Sequence, residues 1–264
     1  SGGTAISSAS GAKPILNTSD DDGQTVSSGV RTDSNASSIV LALPLNGSNG
    51  GTTITDYHHT IKGSGSAKAV SIYTGSASGG AVTSTAVSRY YGSSFYAVRG
   101  ATNNYTASDY IYRTGDTDLN LGTGDFCVEF WYYPQNMTSN SVMFDNRHES
   151  NSWPNSTNGF ALIHNAGGTV WSYSGGNAII NHGNKLTANQ WNHVAYTRDS
   201  GTERLFVNGD FFTTTVSSSR NYNEGRFHLG SAANNGEGSS GYYQGLRIYK
   251  GVPKYTSNFN VPVL

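Results

Sequence analysis

One cysteine in 264 residues, Cys127, excludes any intrachain disulfide framework. It lies in the apolar run DFCVEFWYY, where a buried and inert thiol is expected. No stretch approaches the ~18 consecutive apolar residues that mark a membrane-spanning helix, and no apolar signal core opens the chain. Neither membrane insertion nor signal-peptide secretion is therefore expected. Charge is also scarce: Asp, Glu, Lys and Arg make up 12% of the residues, the formal net charge is −1, and the cations are scattered. A nucleic-acid partner, which needs a basic footprint, is excluded on that ground.

What the chain has instead is 33 glycines and 17 tyrosines. A polar, weakly charged chain rich in Gly, Ser, Asn and Thr builds many short strands with turns between them. The clearest unit is QWNHVAYTRDSGTERLFVNGD, residues 190–210, two runs of β-branched and aromatic residues joined at Asp199-Ser200-Gly201 and closed at Asn208-Gly209. Asn-Gly and Ser-Gly tolerate φ > 0, so a hairpin followed at once by a second tight turn is predicted. Further strands read at 38–45, 69–73, 94–99, 109–113, 125–133, 141–145, 159–164, 169–173, 178–181, 226–229 and 242–249. In the first, period-two spacing puts Ile39, Leu41, Leu43 and Leu45 on one face, and Pro44 belongs at a strand end or edge. There is no internal repeat and no helical period. Residues 1–37 carry no apolar pattern and an acidic cluster at Asp20, Asp21 and Asp22, so they read as an extended N-terminal arm before one β domain, 38–264. The arm's few apolar contacts, Ile15, Leu16 and Val30, make it an expected attachment segment ordered by docking on a partner or a neighbouring copy.

Five landmarks occur in order: LGTGDFCVEFWYYP (121–134), GFALI (159–163), the 191–209 hairpin, FHLGSA (227–232) and GYYQGLRIYKGVPKY (241–255). Together they resemble the laminin-G-like and pentraxin-like domains, which share the concanavalin A-like jelly roll. The resemblance implies an all-β fold, an antiparallel two-sheet sandwich. The leading part, 41–65 with 88–110, is similar to the version found in structural proteins of tailed bacteriophages, many of them marine. That likeness implies a non-enzymatic virion protein, a capsid decoration or tail-surface module held by its arm, with other virion proteins and further copies of itself as partners and the virion surface as its location. The alternative is a lectin-like adhesin for host-surface glycans. Two positions depart from the family pattern, where acidic residues are common: here they read Gln244-Gly245 and Arg99-Gly100.

Candidate chemistry is sparse. A glycosidase needs two carboxylates about 5–9.5 Å apart, and the strand at 125–133 offers Asp125, at its opening turn, and Glu129; solvent-facing polar positions are the plainer account of both. No catalytic residue is therefore assigned. His58 and His59 are adjacent, so on a strand they would face opposite ways and could not share a metal. His193, in a hairpin strand, reads as a hydrogen-bonded core histidine. Calcium is the one cofactor the resemblance admits, and Asp145 with Asn146 is the best-placed hard-oxygen pair, against a plain reading as turn residues. For sugar, loop aromatics flanked by amides are the pattern to seek, which selects Trp153 with Asn155, and Tyr242 with Tyr243. Such aromatics also serve to pack their own loops or to anchor protein interfaces.

Overall fold

In the computed structural model the described residues are 26–27, 30–31, 33–75, 80–99, 108–148, 156–212, 214–234 and 236–261. They form two antiparallel sheets packed face to face. The larger sheet runs β15 (Thr215–Ser217), β14 (Thr202–Val207), β13 (Asn192–Asp199), β8 (Phe126–Asn136), β17 (Ser240–Lys250), β6 (Ser94–Ala97) and β5 (Val82–Ser84). An eighth strand, β3 (Ile39–Leu43), also pairs with β17. The smaller sheet runs β12 (Asn177–Lys185), β11 (Thr169–Ser174), β10 (Ala161–His164), β9 (Ser141–Asp145), β16 (Phe227–Leu229), β7 (Tyr110–Arg113) and β4 (Ser71–Tyr73). A separate two-stranded ribbon joins β1 (Val26–Ser27) to β2 (Val30–Arg31). This is the expected jelly-roll sandwich.

The hairpin at the middle forms as its turn residues dictate. Ser200 and Gly201 sit at φ 49° and 78°, Asn208 and Gly209 at φ 53° and 82°. Positive φ at both central residues is the mirror-image turn whose twist matches two right-handed strands. The Ser200 N–H is fixed by Asp125 at 2.7 Å. Gly209 is required for a second reason: a Cβ there would lie 2.0 Å from the Phe259 carbonyl oxygen.

Alternation along β8 sends Phe126, Val128, Phe130 and Tyr132 into the main core between the sheets. Its other face is covered too. Cys127 belongs to a second apolar cluster with Ile39, Ala42, Ala195, Phe206, Tyr249 and Tyr255, roofed by Tyr57 and Ile61 near the helix α1 (His58–Lys62) and by Val252 and Phe259 of the C-terminal segment. Residues 251–261 thus cross the outside of the larger sheet as a strap. The strap is pinned by Lys254, whose ammonium donates to Glu129 at 2.7 Å, and by Tyr255, whose hydroxyl donates to the same carboxylate at 2.6 Å.

Several sequence expectations change here. Glu129 does not face solvent; it is 3% exposed, and burial under the strap explains why. Neighbouring cations, Lys254 foremost, outweigh its desolvation and hold the carboxyl well below the usual range. Leu41, Leu43 and Leu45 join the main core, but Ile39 joins the outer cluster, because the β3–β17 register shifts at Ile248/Tyr249. His58 and His59 open a helix rather than a strand. That helix ends at Gly63 in the left-handed region, and Asp56 holds its start by accepting the His58 N–H at 3.0 Å. The short strands β5 and β15 were not legible at three residues each. Asp33 is already part of the sandwich: it is 7% exposed, and its carboxylate accepts the Tyr249 hydroxyl at 2.5 Å. Ile15 and Leu16 lie outside the described residues, and Val30 lies in β2.

One buried base makes stability depend on pH. His164 is fully buried, and its burial lowers the imidazole pKa from 6.5 to about 4, against the opposing hydrogen bond to the Asn165 carbonyl. The unfolded chain takes up a proton below pH 6.5 that the folded chain refuses, so this contribution is complete above pH 6.5 and declines toward pH 4. At about 1.4 kcal/mol per pH unit, urea unfolding should register a loss of roughly 3 kcal/mol across that window, and His164→Gln should flatten it.

Candidate functional site

Antiparallel register places four aromatic residues side by side on the outer face of the larger sheet. Tyr96 on β6 pairs with Tyr242 on β17, which pairs with Tyr133 on β8. Trp191, immediately before β13, continues the row: its ring meets that of Tyr133 edge-on at 5.6 Å. Tyr96 and Tyr242 stack at 4.7 Å, and Tyr133 meets Tyr242 edge-on at 6.0 Å. Tyr96, Tyr133 and Trp191 are part-exposed, while Tyr242, at 6%, backs them from the middle. Burial, with Tyr242 and Asp109 nearby, raises the Tyr96 hydroxyl above its ordinary pKa, so it stays protonated and able to donate.

A wall closes one long side of this row. The Arg89 guanidinium lies over Trp131 at 3.7 Å, and Tyr90 packs edge-on against the same indole. Gln244 holds that loop in place: its amide oxygen accepts the N–H groups of Arg89 and Tyr90, each at 3.0 Å, and its amide nitrogen donates to the Ser93 carbonyl at 2.6 Å. The position where the family pattern has an acidic residue is thus occupied here by an amide that builds a wall. Beyond it the strap continues, with His193 against Trp131, Tyr255 and Phe259. His193 is a core histidine paired with Glu129 at 3.3 Å.

Of the residues singled out in the sequence, Tyr242 belongs to the row. Tyr243 does not. Adjacent strand residues face opposite ways, so Tyr243 is fully buried in the main core, stacked on Tyr132 at 4.7 Å with its hydroxyl bonded to Ser239. Trp153 and Asn155 lie outside the described residues.

Asp145 and Asn146 are committed internally. Asp145 accepts from the Arg147 guanidinium at 2.9 and 2.7 Å and from the Ala233 N–H at 3.0 Å, and Asn146 accepts the Phe160 N–H at 2.7 Å. These are the turn and framework roles, carried out in full burial. No group of three His, Cys, Asp or Glu side chains suited to a metal ion occurs among the described residues. Asp125 is spent on the Ser200 turn and Glu129 on the strap.

Tyr96, Tyr133 and Trp191 were missed as site residues because they lie far apart in sequence. Only strand order and register bring them together.

A family model described as the concanavalin A-like lectin/glucanases superfamily, of laminin-G type, matches residues 105–254, more than half of the chain. The chain belongs to this superfamily. No curated protein sequence matches it. Among solved structures, this concanavalin A-like sandwich is similar to the binding domain of botulinum neurotoxin DC in complex with SialylT, at 12% identity and a TM-score of 0.53, covering 83% of this chain and 49% of that one. The botulinum neurotoxin serotype D binding domain gives 13% identity and 0.52, covering 84% and 51%. A Trypanosoma rangeli sialidase mutant displaying trans-sialidase activity gives 9% identity and 0.53, covering 91% and 35%. The chain spans about half or less of the length of these structures, and at such identities the likeness is one of fold.

The Asp145–Arg147 pair is fully buried, and removing the charge of one partner strands the other, a loss of about 3–5 kcal/mol. Asp145→Asn is therefore expected to lower stability by that order equally in calcium and in chelator, as read by chemical denaturation in both buffers.

Proposed function

We propose that this chain is a non-catalytic carbohydrate-binding module, and that the row Tyr96–Tyr242–Tyr133–Trp191 is its binding surface. The observation that carries this reading is the row itself: three part-exposed aromatic side chains, backed by a fourth, on a rigid sheet. Aromatic rings cover the C–H faces of sugars while phenol and amide groups bond hydroxyls. Exposed Gln135, two residues on from Tyr133 along β8, and Gln190, next to Trp191 in the chain, are the amides at hand. Membership of a lectin and glucanase superfamily supports the reading, as does a shared fold with a toxin binding domain described in complex with SialylT. The non-catalytic part rests on the internal engagement of Asp125 and Glu129.

A second reading places the module on a phage particle, as capsid decoration or a tail-surface component. It is favoured by the likeness of 41–65 and 88–110 to phage structural proteins, and by the fact that tyrosine and tryptophan are also the usual anchors of protein interfaces. Host-surface glycans would then be the ligand, or neighbouring virion subunits the partner.

A glycan array probed with the purified protein separates these. Binding is expected, with Trp191→Ala weakening it about tenfold, since a ring contact contributes roughly 0.5–1.5 kcal/mol beyond its buried area. An array with no binder would remove the carbohydrate reading, and recovery of the protein at a fixed ratio to the major capsid protein in purified particles would put the architectural one in its place.

A further inference from the structure

Resting on the carbohydrate reading, we infer that the ligand is an uncharged oligosaccharide lying as an extended chain across the strands, bound along its length rather than by a terminal sugar. Three features of the row carry this.

The first is length. The four aromatic positions fall on or beside four neighbouring strands, β6, β17, β8 and β13. At the spacing of paired strands that is a span of about 14 Å, well beyond one pyranose ring. A pocket for a terminal sugar would instead enclose a single position from several sides. The second is direction. Along the strands the row is blocked on one side, where Arg89 lies on Trp131 and Gln244 fastens the loop behind it. Past that wall the strap covers the sheet, with Lys254 and Tyr255 fixed to Glu129. A chain laid along the strands would collide with the wall, while one laid across them passes Tyr96, Tyr133 and Trp191 in turn, with Tyr242 behind them.

The third is charge. The row carries three phenols and an indole and no ionised group. Charged side chains around it are engaged within the protein: Glu129 with Lys254, Arg247 with Asp33 at 4.0 Å, Arg89 with the Trp131 ring, and Asp109, the carboxylate near Tyr96, with the Gly75 N–H it accepts. Among the described residues the cations beside the row are already engaged within the protein, so a carboxylated or sulfated chain would gain less there than neutral hydroxyls, which meet phenolic O–H groups that donate and accept. Tyrosine suits this task because its ring is stiff and its tip polar, so little rotamer freedom is lost on contact.

The test is titration calorimetry of the full protein against ladders of neutral β-linked gluco- and galacto-oligosaccharides from one to six units, with oligogalacturonides of matched length and sialyllactose as acidic comparators. The dissociation constant is expected to fall at least tenfold between the disaccharide and the tetrasaccharide and then level off, with reducing-end labelling of the sugar making no difference. Tyr133→Ala should abolish the gain with length; Phe212→Ala, at an exposed turn off the row, serves as the folded control. Should Tyr133→Ala fail to fold, Trp191→Ala gives the same reading from the end of the row. Equal affinity for monosaccharide and tetrasaccharide, or a preference for the acidic ladder, would overturn this inference while leaving carbohydrate binding in place. Absence of binding to every sugar would overturn both.

Discussion

A carboxylate at the centre of a strand that is covered on both faces cannot stand alone, and Glu129 is such a group. It receives the Lys254 ammonium and the Tyr255 hydroxyl from the strap and faces His193 from the neighbouring strand. The net worth of a buried ion pair is small, because desolvation of both charges offsets their attraction, but an unmatched partner costs about 3–5 kcal/mol. Apolar burial is the larger attractive term: Tyr255 and Phe259 stack at 3.6 Å over Phe206 and His193, and each large side chain so buried contributes roughly 1.5–3 kcal/mol. The aromatic contacts hold the strap down, and the charge decides where it sits. The outer face of the larger sheet is thereby divided into a covered half and an open half, and the open half is the row of tyrosines.

Charge is managed the same way elsewhere in the sandwich. Glu203 accepts hydroxyls from Tyr196 and Tyr222 inside the core, near the Arg198 guanidinium. Arg198 itself donates to the carbonyls of Gly122, Gly124 and Arg220, which ties two loops to one strand. Asp56 accepts the N–H groups of Ala42, His58 and Lys68. With so few charges in the chain, many of those it has are spent on fixing loops. On the open part of the larger sheet the part-exposed side chains of the row are Tyr96, Tyr133 and Trp191.

Most strands and both tight turns were legible in the sequence, since φ > 0 at Ser200-Gly201 and Asn208-Gly209 follows from residue type. Legibility failed where the signal is not local. DFCVEFWYY shows no polar face because the strap covers the side that would have been wet. His58 and His59 fall in a helix of five residues, too short to display a period. Tyr242 and Tyr243 looked equivalent as a pair, yet the pleat separates them completely, one to the surface row and one to the core. Tyr96, Tyr133 and Trp191 carry no local mark at all; their meeting is a property of strand order.

The pairing of the first large strand with the last has a mechanical meaning. β3 and β17 are antiparallel neighbours, with Ile39 opposite Tyr249, so both ends of the sandwich leave from the same edge of that pair. Tension between them would unzip the ladder one hydrogen bond at a time instead of shearing all of them at once. A module tethered at both ends would therefore resist pulling mainly through the aromatic packing of Tyr255 and Phe259 that holds the strap, with Lys254 fixing its position, and would yield progressively once the strap slipped.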